Sequence, residues 1–202
     1  MLSQSITNSR RSQPFKFELS VWFLLALGLL MFASDGLAIW ALYAAAVHEA
    51  AHLIVIYACG CAVGRVSLNA GGAQISVRGE PSRRVLFFIA ASGCAGNIAA
   101  AAAVKLMGGQ SLRAYIFIGA NILLCALNIM PHSSLDGGKL LRLILAESPK
   151  SDKVIFITDT VCVFLLTACG VLVFLIGGKN PTALLLGLCL VAKLPVFEQK
   201  KH

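Results

Sequence analysis

Charged side chains are scarce in this sequence. Only 13% of its 202 residues are Asp, Glu, Lys or Arg, whereas 58% are hydrophobic. A typical soluble domain has about 25% charged residues, so a soluble fold of this length has too little interior for so much apolar surface. The composition excludes an ordinary soluble protein and predicts that lipid forms part of the solvent.

The sequence also lacks cysteine pairs at the spacing of a metal or redox motif. Most of its seven cysteines lie inside apolar runs, where Cys behaves as a small hydrophobic residue. Cys59 and Cys61 are separated by a single residue, which is too close for a CxxC motif. We therefore expect neither a disulfide framework nor a cysteine metal site.

Acidic residues are few as well: nine, against 17 Lys and Arg, for a net charge of +8. Such an excess of basic residues is one sign of nucleic-acid binding. Here, however, the basic residues flank apolar segments, as they do in most inner-membrane proteins. We expect no nucleic-acid partner.

Six apolar runs approach the length that crosses a bilayer, whose core of about 30 Å needs about 20 apolar residues in a helix. The first run follows a basic stretch, as in a signal peptide, but no A-x-A site follows it. The sequence predicts an all-α polytopic membrane protein with about six transmembrane helices. The runs are residues 19–33, 36–58, 85–107, 114–131, 154–176 and 182–196.

Lys and Arg are distributed unevenly between the two sides of these helices. With the N-terminus inside, 14 lie on the inner side and three on the outer side. The positive-inside rule then predicts cytoplasmic termini, and we expect an integral protein of a bacterial cell membrane. Residues 1–18 form a cytoplasmic arm in this interpretation, residues 19–197 a single membrane-embedded domain, and residues 198–202 a cytoplasmic tail.

Residues 60–84 do not resemble a span. Val66 and Leu68 alternate with polar residues, a glycine pair follows, and Ile75 and Val77 alternate again. This pattern predicts a small cytoplasmic β-hairpin. Such a hairpin either offers a strand edge to an extended peptide or is a plain cytoplasmic loop.

The second apolar run contains His48-Glu49-Ala50-Ala51-His52. Positions four apart share a helix face, so both imidazoles can reach one metal ion, and Glu49 is placed to take a proton from water. The alternative is a set of ordinary polar core residues. Unpaired ionisable groups are costly in a membrane and are usually functional there, so the pattern favours a zinc peptidase site.

Such a site needs a third protein ligand. His132 is favoured as a polar neighbour rather than a ligand, which leaves Asp136 and Asp159. Asp159 is the more unusual carboxylate because it lies within an apolar run. Pro131 breaks the helix ahead of Asp136, and glycines follow it, although a simple helix-ending turn would look the same. The second and fourth runs both end on the inner side, which favours Asp136.

Together these segments resemble the site-2 protease family of intramembrane metalloproteases. His48, Glu49 and His52 match the family's H-E-x-x-H motif. Residues 128–138 match its N-x-x-P-x-x-x-L-D-G-G motif, which implies that Asp136 is the third zinc ligand.

A third segment, residues 93–97, is similar to the G-P-x-x-N motif of that family, with Cys94 in place of the usual proline. The resemblance implies that Asn97 lies near the active site and helps to hold substrate. An interhelical hydrogen bond in a small-residue interface is an equally good interpretation of Asn97.

The resemblance covers about residues 36–145 and implies a three-helix catalytic core with one zinc ion. It implies hydrolysis of membrane-spanning or membrane-associated protein substrates and leaves room for a regulatory membrane partner. The short chain and six predicted spans are similar to the compact sporulation-type branch. Two other hypotheses stay open: a metal-binding membrane transporter, which would not need Glu49, and an inactive protease-like assembly partner, against which the intact motifs argue.

Overall fold

The computed structural model describes residues 16–21, 23, 24, 27, 28, 31, 37–69 and 72–176. Four helices in this part are long and apolar enough to cross a membrane. They confirm the second to fifth predicted spans and the helical membrane fold, whereas the first predicted span is described only in part and the sixth lies outside the described residues. The four helices are α1 (Ala38–Ala58), α2 (Arg83–Leu106), α3 (Leu112–Ile129) and α5 (Ser151–Ile176).

A short helix, α4 (Asp136–Ile144), follows a break after α3. Met130 is extended, with φ −58° and ψ 139°, as expected for a residue that precedes a proline. Pro131 cannot continue the helix, so the chain turns before α4 begins at Asp136. The break therefore places a carboxylate at the first residue of a new helix.

Helices α1, α2 and α3 pack on one another and form the centre of the protein. Small residues let α1 and α2 approach closely: a Cβ atom added at Gly96 would lie 2.5 Å from the Cβ of Ala51. Close packing of small residues is the usual way in which helices associate in lipid. Buried apolar side chains of this bundle include Ala44, Ile56, Ala90, Ala101 and Cys125.

Three strands form a sheet beside the helices, in the order β1-β2-β3. Strands β2 (Val63–Asn69) and β3 (Gly72–Val77) are antiparallel, which confirms the predicted hairpin. Strand β1 (Lys16–Leu19) pairs in parallel with β2 and was not predicted. The prediction that the first helix begins at Leu19 was wrong, because Leu19 ends this strand. Its four alternating residues adjoin a long apolar run, which concealed the alternation.

The sheet has two unlike faces. Residues paired across neighbouring strands point to the same side. Lys16 is opposite Arg65, and Arg65 is opposite Ser76, so these side chains share a polar face. Phe17, Val66 and Ile75 are paired in the same way on the apolar face.

Candidate metal centre

Three predicted ligands converge at one point in the helix bundle. His48 and His52 on α1 are 4% and 6% exposed, and Asp136 is 3% exposed. Oδ2 of Asp136 lies 2.9 Å from Nε2 of His48 and 2.9 Å from Nε2 of His52. The two Nε2 atoms are 3.1 Å apart. Among the described residues, these three side chains form a group that can hold a metal ion.

The local sequence explains how Asp136 reaches the histidines. An added Cβ at Gly137 or Gly138 would collide with the backbone of Ile129 or His132, respectively. Only glycine therefore lets the start of α4 lie so close to the preceding loop. Oδ1 of Asp159 accepts a hydrogen bond of 2.7 Å from the Ser133 N–H group and anchors that loop to α5.

Hydrogen bonds to the other ring nitrogens fix the histidine tautomers. Nδ1 of His48 lies 2.7 Å from Oδ1 of Asn97, and Nδ1 of His52 lies 2.7 Å from the carbonyl oxygen of Ile89. These oxygens only accept, so each Nδ1 carries the hydrogen and donates it. Each Nε2 consequently presents a lone pair to the shared point with Asp136.

This donor set fits a metal ion. Two imidazole lone pairs and one carboxylate oxygen repel one another at about 3 Å unless a cation lies between them. Two histidines and a carboxylate are also a common ligand set of catalytic zinc, with a further position open for water. Metal-bound histidines generally donate from the other ring nitrogen, as His48 and His52 do here.

Asn97 and Asn121 form a buried network behind His48, and neither side chain is exposed to solvent. Nδ2 of Asn97 donates to the Ala44 carbonyl at 2.9 Å and to Oδ1 of Asn121 at 2.8 Å. Nδ2 of Asn121 donates to the Phe117 carbonyl at 2.9 Å. Asn97 thus makes interhelical hydrogen bonds to α1 and α3, and its contact with substrate stays a prediction. Sequence reasoning missed Asn121, although a lone amide within an apolar run was a usable signal.

Lys139 favours the ionised form of Asp136. Burial alone would raise the pKa of Asp136, whereas the positive charge of Lys139 lowers it. Nζ of Lys139 lies 2.7 Å from Oδ1 of Asp136, which leaves Oδ2 toward the histidines. The N-terminus of α4 adds a favourable dipole.

Glu49 follows His48 on α1 and is half-buried. It interacts electrostatically with both histidines, with Asp136 and with Lys139. Its carboxylate therefore lies within the field of the centre without being one of the three clustered ligands. This is the position expected of a group that exchanges protons with water at the centre.

The other two candidates lie outside the ligand group. Asp159 is completely buried but is engaged with the Ser133 backbone. His132 is also completely buried, and its Nδ1 accepts a hydrogen bond of 3.2 Å from the Ser134 N–H group. Both residues order the loop that leads to Asp136.

Comparison with known proteins identifies the fold. No protein-family model and no curated protein sequence matches this chain. Among solved structures, the chain is similar to the site-2 protease from Methanocaldococcus jannaschii, with a TM-score of 0.62 over 92% of this chain and 90% of that one. The two sequences are 19% identical, so the likeness is one of architecture. The chain thus has the fold of a site-2 protease.

Proposed function

We propose that this chain is an intramembrane zinc metalloprotease that hydrolyses peptide bonds of membrane-spanning or membrane-associated proteins. The observation that carries the proposal is the buried convergence of His48, His52 and Asp136, with Glu49 beside them. Four candidate membrane helices and the fold shared with a site-2 protease support a site of action within or beside the bilayer.

Nε2 of His48, Nε2 of His52 and Oδ2 of Asp136 would hold the ion. Zinc bound to these atoms supplies Lewis-acid activation of a water molecule and of a peptide carbonyl group. Glu49 accepts a proton from the attacking water and delivers it to the leaving amine nitrogen. Asn97 and the Ile89 carbonyl hold the two imidazole rings in the orientation that this chemistry needs.

The charge distribution supports the orientation of the site. With 14 basic residues on the inner side and three on the outer side, the sheet, α4 and both termini lie in the cytoplasm of what we expect to be a bacterial cell. The centre then lies in the cytoplasmic half of the bundle, where water and an unwound substrate segment can reach it. We also propose that a membrane partner regulates access to the site. The compact sporulation-type branch is the part of the family to which we assign the chain.

Metal removal tests the proposal directly. The purified full chain is placed in lipid vesicles with a single-span reporter protein, and its zinc is stripped with a chelator. We expect cleavage to stop and to return when one equivalent of zinc is added, because the three ligands hold a single ion. Cleavage that continues in zinc-free protein would contradict the proposal. Zinc flux across the vesicle membrane without cleavage would favour a transporter instead.

A further inference from the structure

A cavity of about 620 Å³ lies between the sheet and the loop that leads to the metal centre. This volume is in the range of pockets that bind ligands. The polar face of the sheet forms one wall, and the start of α4 with its preceding loop forms the other. Residues of both walls include Lys16, Arg65, Arg78, Ser133, Ser134 and Lys139.

The cavity is strongly basic. Lys16, Arg65 and Arg78 come from the sheet side, Lys139 comes from α4, and no described carboxylate lines the cavity. Two of these cations have an acidic partner: Oε1 of Glu18 lies 3.5 Å from Nε of Arg65, and Oδ1 of Asp136 lies 2.7 Å from Nζ of Lys139. Four cations against two carboxylates leave a positive field, and the pairing of Lys16 with Arg65 across β1 and β2 places part of it on one face of the sheet.

The cavity adjoins the reaction centre. Lys139, which lines it, is in contact with Oδ1 of Asp136 at 2.7 Å. Ser133 and Ser134, which also line it, lie three and two residues before Asp136. A chain lying in this cavity would therefore pass beside Lys139, which contacts the proposed ligand Asp136.

We propose that this cavity binds an acidic segment of the substrate protein next to the bond that is cleaved. The inference rests on the proposed protease function and adds a substrate class to it. Asp and Glu side chains of the segment would meet Lys16, Arg65, Arg78 and Lys139, whereas a basic segment would be repelled. Serine and glutamine side chains that also line the cavity, such as Gln74, can form hydrogen bonds with the backbone of the segment.

An anionic lipid headgroup carries a similar charge, but the position of the cavity favours a peptide. The cavity extends from strand β3 to Lys139, which contacts the proposed ligand Asp136, so a peptide in it would lie next to the centre. Among the described strands, β3 pairs only with β2, so its other edge is available to an extended chain.

The test compares three single-span substrates that differ only beside the cleavage site, with four Glu, four Gln or four Lys residues. Cleavage is measured as kcat/KM with the full zinc-loaded chain in vesicles of neutral lipid. We expect the acidic substrate to exceed the Gln substrate roughly tenfold, since each partly exposed ion pair contributes modestly. High salt should reduce the difference.

Two double variants connect the preference to the cavity. Arg65→Gln with Arg78→Gln should lower the ratio of acidic to Gln substrate to about one, since Glu18 and Asp136 then balance the two lysines that remain. Lys105→Gln with Arg113→Gln removes the same charge at the α2–α3 connection, away from the cavity, and should keep the wild-type ratio. Zinc content of all variants checks that the fold is intact.

A binding measurement separates failure of this inference from failure of the protease function. A fluorescent tetra-Glu peptide is titrated onto the Glu49→Gln protein. This measurement of binding does not depend on turnover. Salt-sensitive binding that is lost with Arg65→Gln and Arg78→Gln supports the cavity assignment even if no substrate is cleaved. Equal cleavage of the three substrates would overturn the inference and leave the protease function standing. The inference would also be overturned if phosphatidylglycerol vesicles changed the cleavage rate only when both arginines are present, while the three substrates were cleaved equally.

Discussion

Each proposed ligand of the metal centre has a second contact that decides which of its atoms would face an ion. Oδ1 of Asn97 accepts a hydrogen bond from Nδ1 of His48, and the Ile89 carbonyl accepts one from Nδ1 of His52. Nζ of Lys139 donates to Oδ1 of Asp136. The free lone pairs are thereby aimed before an ion binds. Such outer contacts generally orient the ligands and thereby raise metal affinity.

Replacement of Asn97 by Ala should weaken zinc binding by roughly 10- to 100-fold, because His48 loses the acceptor that fixes its tautomer. Competition with a chromophoric chelator measures this affinity in purified protein. Asn128→Ala is a matched control, since within the described part of the chain the Asn128 amide donates to the Leu124 carbonyl of its own helix at 3.0 Å. Equal zinc affinity in the Asn97 variant and the wild type would contradict the role given to Asn97.

Asp136 and Asp159 can be separated by the same kind of substitution. Asp136→Asn should abolish proteolysis and lower zinc retention, because an amide is a weaker and neutral ligand. Asp159→Asn should leave zinc stoichiometry unchanged, since Asp159 bonds to the Ser133 backbone outside the cluster. The measurement is zinc per protein in both purified variants. Zinc lost from the Asp159 variant but kept by the Asp136 variant would contradict the assignment.

Among the residues of the site, those related by local spacing could be predicted from the sequence, whereas those related by tertiary contact could not. The i and i+4 positions of His48 and His52 follow from helix geometry, so a single segment of sequence carried the prediction. Asn121 contacts the site only because α3 packs where it does, whereas Lys139 reaches Asp136 as an i, i+3 pair within α4. No spacing within the sequence connects Asn121 to His48.

Among the elements, the close approach of α1 and α2 positions the ligands. A Cβ atom added at Gly93 would lie 2.6 Å from Nε2 of His52 and would also meet the ring of His48. Gly93 therefore leaves open the space into which both imidazoles project. The same small-residue surface brings Asn97, one turn further along α2, against His48.

Gly93→Ala should consequently displace the histidine rings and reduce cleavage by about 10²-fold, the scale of effect that a small misplacement has on catalysis. Zinc content should fall as well. Gly119→Ala is the control, because nothing lies within 4 Å of a Cβ atom added there and alanine favours a helix. Full zinc content and full activity in the Gly93 variant would show that the added methyl group is accommodated.

The elements differed in how far sequence predicted them. The β2–β3 hairpin was predictable because two alternating stretches flank a glycine turn. Strand β1 was not, since four residues carry little alternation and its partner β2 is distant in sequence. The basic cavity depends on that strand pairing and on the position of α4, so composition alone gave no sign of it.

The whole molecule follows from its composition more directly than from any motif. Long apolar runs with few charges are expected in lipid, and the four described membrane helices agree with the predicted runs. Orientation depends on the flanking Lys and Arg residues, of which 14 are placed inside and three outside. The helix bundle would be the same in either orientation, so orientation needs its own measurement.

A cysteine introduced at Arg78, in a variant without the seven native cysteines, tests the orientation. A membrane-impermeant maleimide should label position 78 only after the cells are permeabilised, because the sheet is predicted to be cytoplasmic. Arg113→Cys, on the predicted outer side, should be labelled in intact cells. Labelling of position 78 in intact cells would overturn the predicted topology.

The most direct measurement of the central claim pairs zinc content with proteolysis in the Glu49→Gln variant. The three ligands are unchanged, so zinc per protein should equal the wild-type value. Substrate cleavage should fall by roughly 10²-fold or more, because the group that exchanges protons with water is lost. Glu80→Gln, at an exposed position after the hairpin, should match the wild type in both respects. Undiminished cleavage by a zinc-loaded Glu49→Gln protein would contradict the account.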